Sequence, residues 1–232
     1  MERIAKIIGK RVGILAVCMS LLTFSSMAQI AVAGGFAMLK PFGVPSVYPG
    51  LHLGVEIPTN DAMTLYLRLT GTFRNSYVDT VRFEAIDFMT SPQIMDVPVK
   101  FGTGNINFEG GNRYYIGNGF DDFGFSAYGG TVYQLYTQGI SRKNEADVDE
   151  TKYVFKDNSG QSTEMPRRGR ILAFGLGLNG GLQYNMAATT FYLDVTASYN
   201  LFAFPSNSLA INYNNYSPLN FAFNVGYRRT IF

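Results

Sequence analysis

Few residues in this 232-residue sequence could perform acid–base or nucleophilic chemistry. His52 is the only histidine and Cys18 is the only cysteine. A Ser–His pair or a histidine-containing metal site would therefore have to use His52. A deacylase-like pair on a β-strand needs a serine two positions away, but residue 54 is glycine. Glu56 would lie about 13 Å from His52 along an extended strand, too far for a hydrogen bond. These spacings predict no catalytic residue, no metal site, no cofactor and no enzymatic activity.

The composition argues against several other classes of protein. Only 16% of the residues are charged, and the formal net charge is +2, whereas soluble domains carry about 25% charged residues. So small a net charge predicts no nucleic-acid partner. The lone cysteine excludes a disulfide framework. Aromatic residues make up 15% of the chain, and 25 residues are glycine.

The N-terminus has the pattern of a secretory signal peptide. Four basic residues within positions 3–11 precede an apolar run at 12–24, and small residues then lead to Ala28. The apolar run is shorter than the roughly 20 residues that a membrane-spanning helix needs. We therefore predict an exported protein with a signal peptide at 1–28 and a mature domain at 29–232. A second small-residue motif leaves cleavage after Ala33 open.

The remainder of the chain alternates between apolar and polar residues with a period of two, which indicates β-strands. Regular alternation predicts strands at 47–57, 62–74, 170–184, 189–202 and 218–232, and weaker alternation predicts strands at 30–39, 93–102 and 123–136. A hairpin hidden in 103–122 would raise the number from eight to ten. Pro98 predicts a local bulge, because proline removes a donor from the ladder.

The two faces of these strands predict a membrane barrel. One face is rich in Leu, Phe, Val and Tyr, and the other in Gly, Ser, Thr and Asn with isolated charges. The polar face is a poor surface for water and a good packed interior for a narrow barrel, in contrast to a soluble barrel. Long loops at 75–92, 137–169 and 203–217 oppose short turns at 58–61 and 185–188. We predict an all-β, eight-stranded antiparallel transmembrane β-barrel in the outer membrane, with both termini in the periplasm.

The inward face carries isolated charges of both signs. They are three acids and three bases, namely Glu56, Asp96, Asp194, Arg68, Lys100 and Arg228. Charges inside a narrow barrel persist only when they are paired. We therefore expect an ion-pair network that fills the lumen, with a narrow pore as the alternative. Asp194 would pair with Arg228 on the next strand or with Arg68 across the barrel, depending on the shear.

Two features point to envelope partners. Arg167, Arg168 and Arg170 lie where the charged loop 137–169 returns to the membrane, and we expect them to contact lipopolysaccharide phosphates. The terminal Phe232 follows an amphipathic strand and suggests a signal for the barrel-assembly machinery. The expected partners are outer-membrane lipid, lipopolysaccharide and that machinery.

Two short segments resemble a known family. Residues 96–101 (DVPVKF) resemble the recurring Ile-Pro-hydrophobic-Lys-Tyr/Phe strand of PorT-like barrels, and residues 125–130 (FSAYGG) resemble their Gly–aromatic strand. The mature chain is similar to the small eight-stranded outer-membrane barrels of the OmpA-like and PorT-like group. From the filled barrel and its long loops we expect a structural, accessory or surface-interaction role. The resemblance to PorT-like barrels implies, for some members, a link to an envelope complex for secretion or assembly, which is the alternative role.

Overall fold

The computed structural model describes residues 30–231 except 146–147, 157–161, 164–165, 187–188, 208 and 211–215. The predicted signal peptide and Phe232 lie outside the described residues. Within the described part of the chain, no helix is long and apolar enough to cross a membrane.

The described residues form antiparallel β-strands. Their bounds are β1 Ala31–Pro41, β2 Tyr48–Asn60, β3 Met63–Thr72, β4 Asn75–Ala85, β5 Ile94–Gly117, β6 Gly124–Asn144, β7 Tyr153–Lys156, β8 Ser162–Thr163, β9 Arg168–Met186, β10 Thr189–Pro205 and β11 Leu219–Thr230. Most exceed the usual length of about five or six residues in globular proteins.

Eight of these strands close into a ring. The ring order is β1, β2, β3, β5, β6, β9, β10 and β11, and β11 returns to β1. Pairing runs from Ala31↔Thr230 to Pro41↔Asn220 across that closure. The prediction of an eight-stranded antiparallel barrel is confirmed, and the ten-stranded alternative is wrong. Closure leaves no unpaired strand edge to face lipid.

The strand assigned between residues 93 and 122 differs from the prediction. β5 spans 24 residues. Only its second part pairs with β3, from Ile106↔Gly71 to Tyr114↔Met63. Its first part pairs with β4, which lies outside the ring. The predicted strand 93–102 is therefore not a barrel strand, and the segment taken for a loop at 103–122 supplies the barrel strand instead.

Pro98 does not cause the predicted bulge. It opposes Thr80 in an unbroken register with β4. Its carbonyl accepts a hydrogen bond from the Glu145 backbone N–H, just beyond the last β5–β6 pair, Val99↔Asn144. In an extended strand the nitrogen and the carbonyl of one residue point to the same side. The Pro98 nitrogen therefore points towards β6, at a position where the β5–β6 ladder has already ended. A missing donor is tolerated at such an edge.

The outer surface of the ring is an apolar belt. Each ring strand contributes at least one large apolar side chain that is 47–75% exposed: Phe36, Leu53, Leu67, Ile116, Phe125, Leu178, Leu193 and Val225. The interior is lined by buried polar groups such as Asn107, Gln134, Asn179, Thr196 and Asn220. This inside-out arrangement suits hydrocarbon outside and a packed lumen inside, so the barrel spans a membrane.

A second, smaller unit stands at the long-loop end of the barrel. We call it the extension; it consists of β4, residues 94–103 of β5, and β7. Its core contains Val81, Phe83, Val97, Val99, Phe101 and Phe155, all at most 5% exposed. Here the apolar face of β5 is buried and the polar face is outside, as in a soluble sheet. The inward face of β5 is therefore apolar in the extension and polar in the barrel, and the change occurs where the strand leaves the apolar belt.

Candidate functional site

Among the described residues, six buried charged side chains contact one another in the lumen, and we call them the lumen network. They are Glu56 on β2, Arg68 on β3, Glu109 and Arg113 on β5, Asp194 on β10 and Arg228 on β11, and none is more than 5% exposed. The period-two geometry of each strand points these side chains inward. Three carboxylates and three guanidiniums bring the formal charge of the network to zero.

The network begins near the short-turn end of the barrel with Arg228. Its Nη1 lies 3.0 Å from Oε2 of Glu56. The same carboxylate oxygen accepts a hydrogen bond from Nη1 of Arg113 at 2.9 Å. Glu56 therefore pairs with two cations, Arg228 and Arg113.

The chain of ion pairs continues from Arg113 to Asp194. Nη2 of Arg113 lies 2.8 Å from Oδ2 of Asp194. Arg68 donates from Nη1 to both Asp194 oxygens, at 3.0 and 2.9 Å. It also contacts Glu109, with Nη2 2.5 Å from Oε2. The order Arg228–Glu56–Arg113–Asp194–Arg68–Glu109 alternates base and acid along its whole length.

Neutral groups complete the hydrogen bonding of the acids. Asn224 donates to Asp194 at 2.7 Å, and Tyr128 donates to it at 3.2 Å. The hydroxyl groups of Thr64 and Tyr115 donate to Glu56 at 2.5 and 2.6 Å. A buried carboxylate is tolerated when its lone pairs are filled in this way.

Aromatic rings pack against the guanidinium faces. The Arg113 guanidinium carbon lies 4.2 Å from the ring centre of Tyr66 and 4.7 Å from that of Tyr128. Arg228 stacks over Phe120 at 3.9 Å. These contacts fill the space beside the ion pairs and add cation–π attraction. The lumen at this level is occupied by side chains, as expected for a ring of eight strands.

Four of the six sequence-predicted lumen residues lie in this network, and two lie elsewhere. Glu56, Arg68, Asp194 and Arg228 are inside, and Asp194 uses Arg68 rather than Arg228. Asp96 and Lys100 are exposed on the extension. Asp96 pairs with Arg82 at 3.1 Å, and both side chains are more than half exposed. Their placement in the lumen is wrong because the extension stands in water, where polar faces turn outward.

Sequence reasoning missed Glu109 and Arg113. Both lie in the segment 103–122, where glycines interrupt the apolar positions. The alternation is nevertheless visible in this segment. The odd positions carry Asn107, Glu109 and Arg113, and the even positions carry the apolar Ile106 and Phe108. Glu109 and Arg113 bring the buried charges back to three acids and three bases, in place of Asp96 and Lys100.

His52 is buried in the lumen, and its Nε2 lies 2.6 Å from the hydroxyl of Tyr192. Glu56, four residues further along β2, is engaged by arginines instead. Among the described residues, no group of three or more potential metal ligands comes together. The arrangement around His52 is a packed hydrogen bond inside the barrel.

The three predicted lipopolysaccharide-contacting arginines separate in the structure. Arg168 and Arg170 lie on the outer face of β9 and line one pocket of about 430 Å³ together with Arg74. Arg167 lines a different pocket of about 400 Å³ with Arg142 and Glu150. Arg168 and Arg170 therefore share their pocket with Arg74, which the sequence did not indicate.

No family model and no curated protein matches the chain. Solved structures of similar architecture include the outer membrane protein OprG from Pseudomonas aeruginosa, at 12% identity and a TM-score of 0.48, covering 88% of this chain and 96% of that one. The Yersinia pestis attachment invasion locus protein Ail, in complex with the heparin analogue sucrose octasulfate, has 13% identity and a TM-score of 0.45, covering 88% and 99%. Neisserial surface protein A has 11% identity and a TM-score of 0.44, covering 88% and 97%.

Proposed function

We propose that this protein is an outer-membrane barrel with a filled lumen that acts through its extracellular surface, in a structural, accessory or surface-interaction role. The lumen network carries the proposal. It fills the barrel with neutralised, hydrogen-bonded side chains, including Arg113 and Asp194. A barrel filled in this way offers its outer loops, rather than its interior, for contact with other molecules.

The membrane placement rests on the asymmetry of the two ends. Turns such as Asp61–Ala62 are short at one end, whereas the other end carries the extension. Barrels of this kind place long loops outside the cell and short turns in the periplasm. Together with export by the predicted signal peptide at 1–28, this asymmetry supports a barrel domain with both ends in the periplasm. Insertion would require the barrel-assembly machinery as a transient partner.

The extension presents an apolar tip away from the membrane. Phe88 and Met89, between β4 and β5, are 98% and 96% exposed. The hairpin pairs from Asn75↔Thr103 to Glu84↔Ile94, so the tip stands about 30 Å beyond the start of the hairpin along the strand direction. Two adjacent apolar side chains held in water at that distance favour contact with another molecule.

The tip has a defined conformation. Oδ1 of Asp87 accepts hydrogen bonds from the backbone N–H groups of Met89 and Thr90 and from the Thr90 hydroxyl. The Thr90 side chain and backbone hydrogen bonds lower the pKa of Asp87 below its ordinary value. Such a turn costs little entropy to order on binding, because it is already formed.

A photo-crosslinking residue at position 88 tests the surface role in intact cells. We expect a discrete crosslinked product from position 88 and none from Thr80, an exposed site on β4 of the same hairpin. Crosslinking to a protein of the same envelope would favour the accessory role in a secretion or assembly complex. Absence of any product from position 88 would contradict a surface-interaction role for the tip.

A further inference from the structure

A basic trough lies on the outer wall of the barrel at its long-loop end. Its walls are the side chains of Arg74, after β3, and of Arg168 and Arg170 on β9, and Gly139 and Ser206 complete it. The trough has room beside Arg74 because the outward position next to it on β5 is a glycine: an added Cβ at Gly102 would meet the Arg74 side chain at 3.2 Å. The pocket has a volume of about 430 Å³.

The trough is positively charged, and no described carboxylate compensates it. Within the part of the chain that the structure describes, none of its three guanidiniums forms an ion pair with a carboxylate. All three residues are exposed. By contrast, Arg142 near the same end pairs with Glu150 at 3.1 Å. Converging guanidiniums without an acid are suited to a phosphate, which each of them can bind through charge-assisted hydrogen bonds.

The trough stands directly above the apolar belt. Arg170 is two residues from Leu172 on the outer face of β9, and Leu172 is 37% exposed. Two strand residues span about 7 Å, and Arg168 lies about another 7 Å further on. The arginines are therefore at the height of lipid head groups in the outer leaflet.

An apolar groove runs along the same wall below the trough. It is formed on β2, β3, β5, β6 and β9, has a volume of about 740 Å³, and is lined by Leu65, Leu67, Phe108, Tyr133, Leu135 and Phe174, among others. Gly110, which also lines it, leaves an outward position on β5 without a side chain. The groove lies wholly within the height of the apolar belt.

The nearest edges of the trough and the groove are four strand residues apart. On β6, Leu135 lines the groove and Gly139 lines the trough. On β9, the corresponding residues are Phe174 and Arg170. Each pair is separated by four strand residues, about 13 Å. An anionic head group and a hydrocarbon chain thus have adjoining sites on one face of the barrel.

We propose that these two surfaces together bind one phosphorylated, acylated lipid of the outer leaflet. The phosphate is held by Arg74, Arg168 and Arg170, and an acyl chain lies in the groove over Gly110. The inference rests on the membrane orientation given under the proposed function. It concerns a different surface from the Phe88–Met89 tip, so either proposal can fail without the other.

Binding of lipid A to the purified wild-type protein in detergent, measured by native mass spectrometry and titration, tests the site. The Arg74→Gln/Arg168→Gln/Arg170→Gln variant is expected to bind at least about tenfold more weakly, because each lost charge-assisted hydrogen bond is worth about tenfold. Arg229→Gln, at the opposite end of the barrel, is the control for loss of an exposed arginine and is expected to bind normally. Each variant must retain the heat-dependent gel shift of a folded barrel.

Two further arms identify the part of the lipid that is recognised. Dephosphorylated lipid A should bind the wild type as weakly as intact lipid A binds the triple variant. Gly110→Leu fills the groove, because an added Cβ lies 2.9 Å from the flexible end of Leu67; it should weaken lipid A binding while leaving binding of inorganic phosphate unchanged. Equal binding of lipid A by the wild type and the triple variant would overturn the proposal. If the triple variant weakens binding of inorganic phosphate but not of lipid A, the site binds phosphate and the proposed recognition of a lipid is wrong.

Discussion

Arg113 and Asp194 form an ion pair at 2.8 Å from strands that are three positions apart in the ring and 81 residues apart in sequence. Arg113 also binds Glu56, and Asp194 also binds Arg68. This contact therefore joins the two halves of the lumen network. Removing it leaves buried charge on both sides, which is costly in a low-dielectric interior.

Asp194→Ala is expected to lower the free energy of unfolding by about 3–5 kcal/mol, because Arg68 and Arg113 would then be buried without sufficient negative charge. The heat-dependent gel shift and urea unfolding of the purified barrel measure the effect. Asp96→Ala is the matched control: its exposed pair with Arg82 is screened by water, and the unfolding midpoint should not move. Equal midpoints for all three proteins would show that Asp194 is not in a buried network.

Glu56 and Arg228 provide a test of coupling. Their side chains lie 3.0 Å apart, and both are 1% exposed. Glu56→Gln and Arg228→Met should each destabilise the barrel, while the double variant should cost less than the sum, since neither charge is then left alone. A double-mutant cycle by urea unfolding measures the difference. Strict additivity would contradict the pairing.

The alternation of the sequence was sufficient to predict the eight-stranded barrel, its inward and outward faces, and four of the lumen charges. Glu56, Arg68, Asp194 and Arg228 lie on strands in which every second residue has one character. Period two is a local property, and it is dependable wherever one face meets lipid.

The remaining features depend on information that is not local. The sequence does not give the height at which a strand leaves the bilayer, so Asp96 and Lys100 were placed on the wrong side. Glycines masked the pattern around Glu109 and Arg113. The choice of Arg68 rather than Arg228 as the partner of Asp194 depends on the stagger of strands around the ring, which is set by closure of the whole barrel.

The lipid-facing assignment is tested by charge insertion into the apolar belt. Leu67→Arg and Val195→Arg should each destabilise the barrel by about 2–4 kcal/mol if they lie near the bilayer midplane. Val78→Arg, at an equally exposed apolar position on the extension, should be tolerated because it stands in water. Thr70→Ser, inside the lumen, should also be nearly silent. Refolding titrations into lipid vesicles provide the comparison, and similar stability of all four variants would contradict the belt.

The orientation of the barrel is tested by a protease site inserted after Met89 and, separately, after Asp61. The first lies at the tip of the extension and the second in a short turn. Protease added to intact cells should cleave only the first. Cleavage of the second, with protection of the first, would mean that the barrel is inserted the other way round.

Conductance in planar lipid bilayers tests the filled lumen most directly. The wild-type protein, purified and inserted at known numbers of molecules, is expected to be electrically silent, because the chain from Arg228 to Glu109 fills the lumen with paired charges. A water-filled barrel of known conductance in the same membrane serves as the control for insertion. A steady ohmic conductance from the wild type would contradict the filled lumen and support a narrow pore lined by the same six residues.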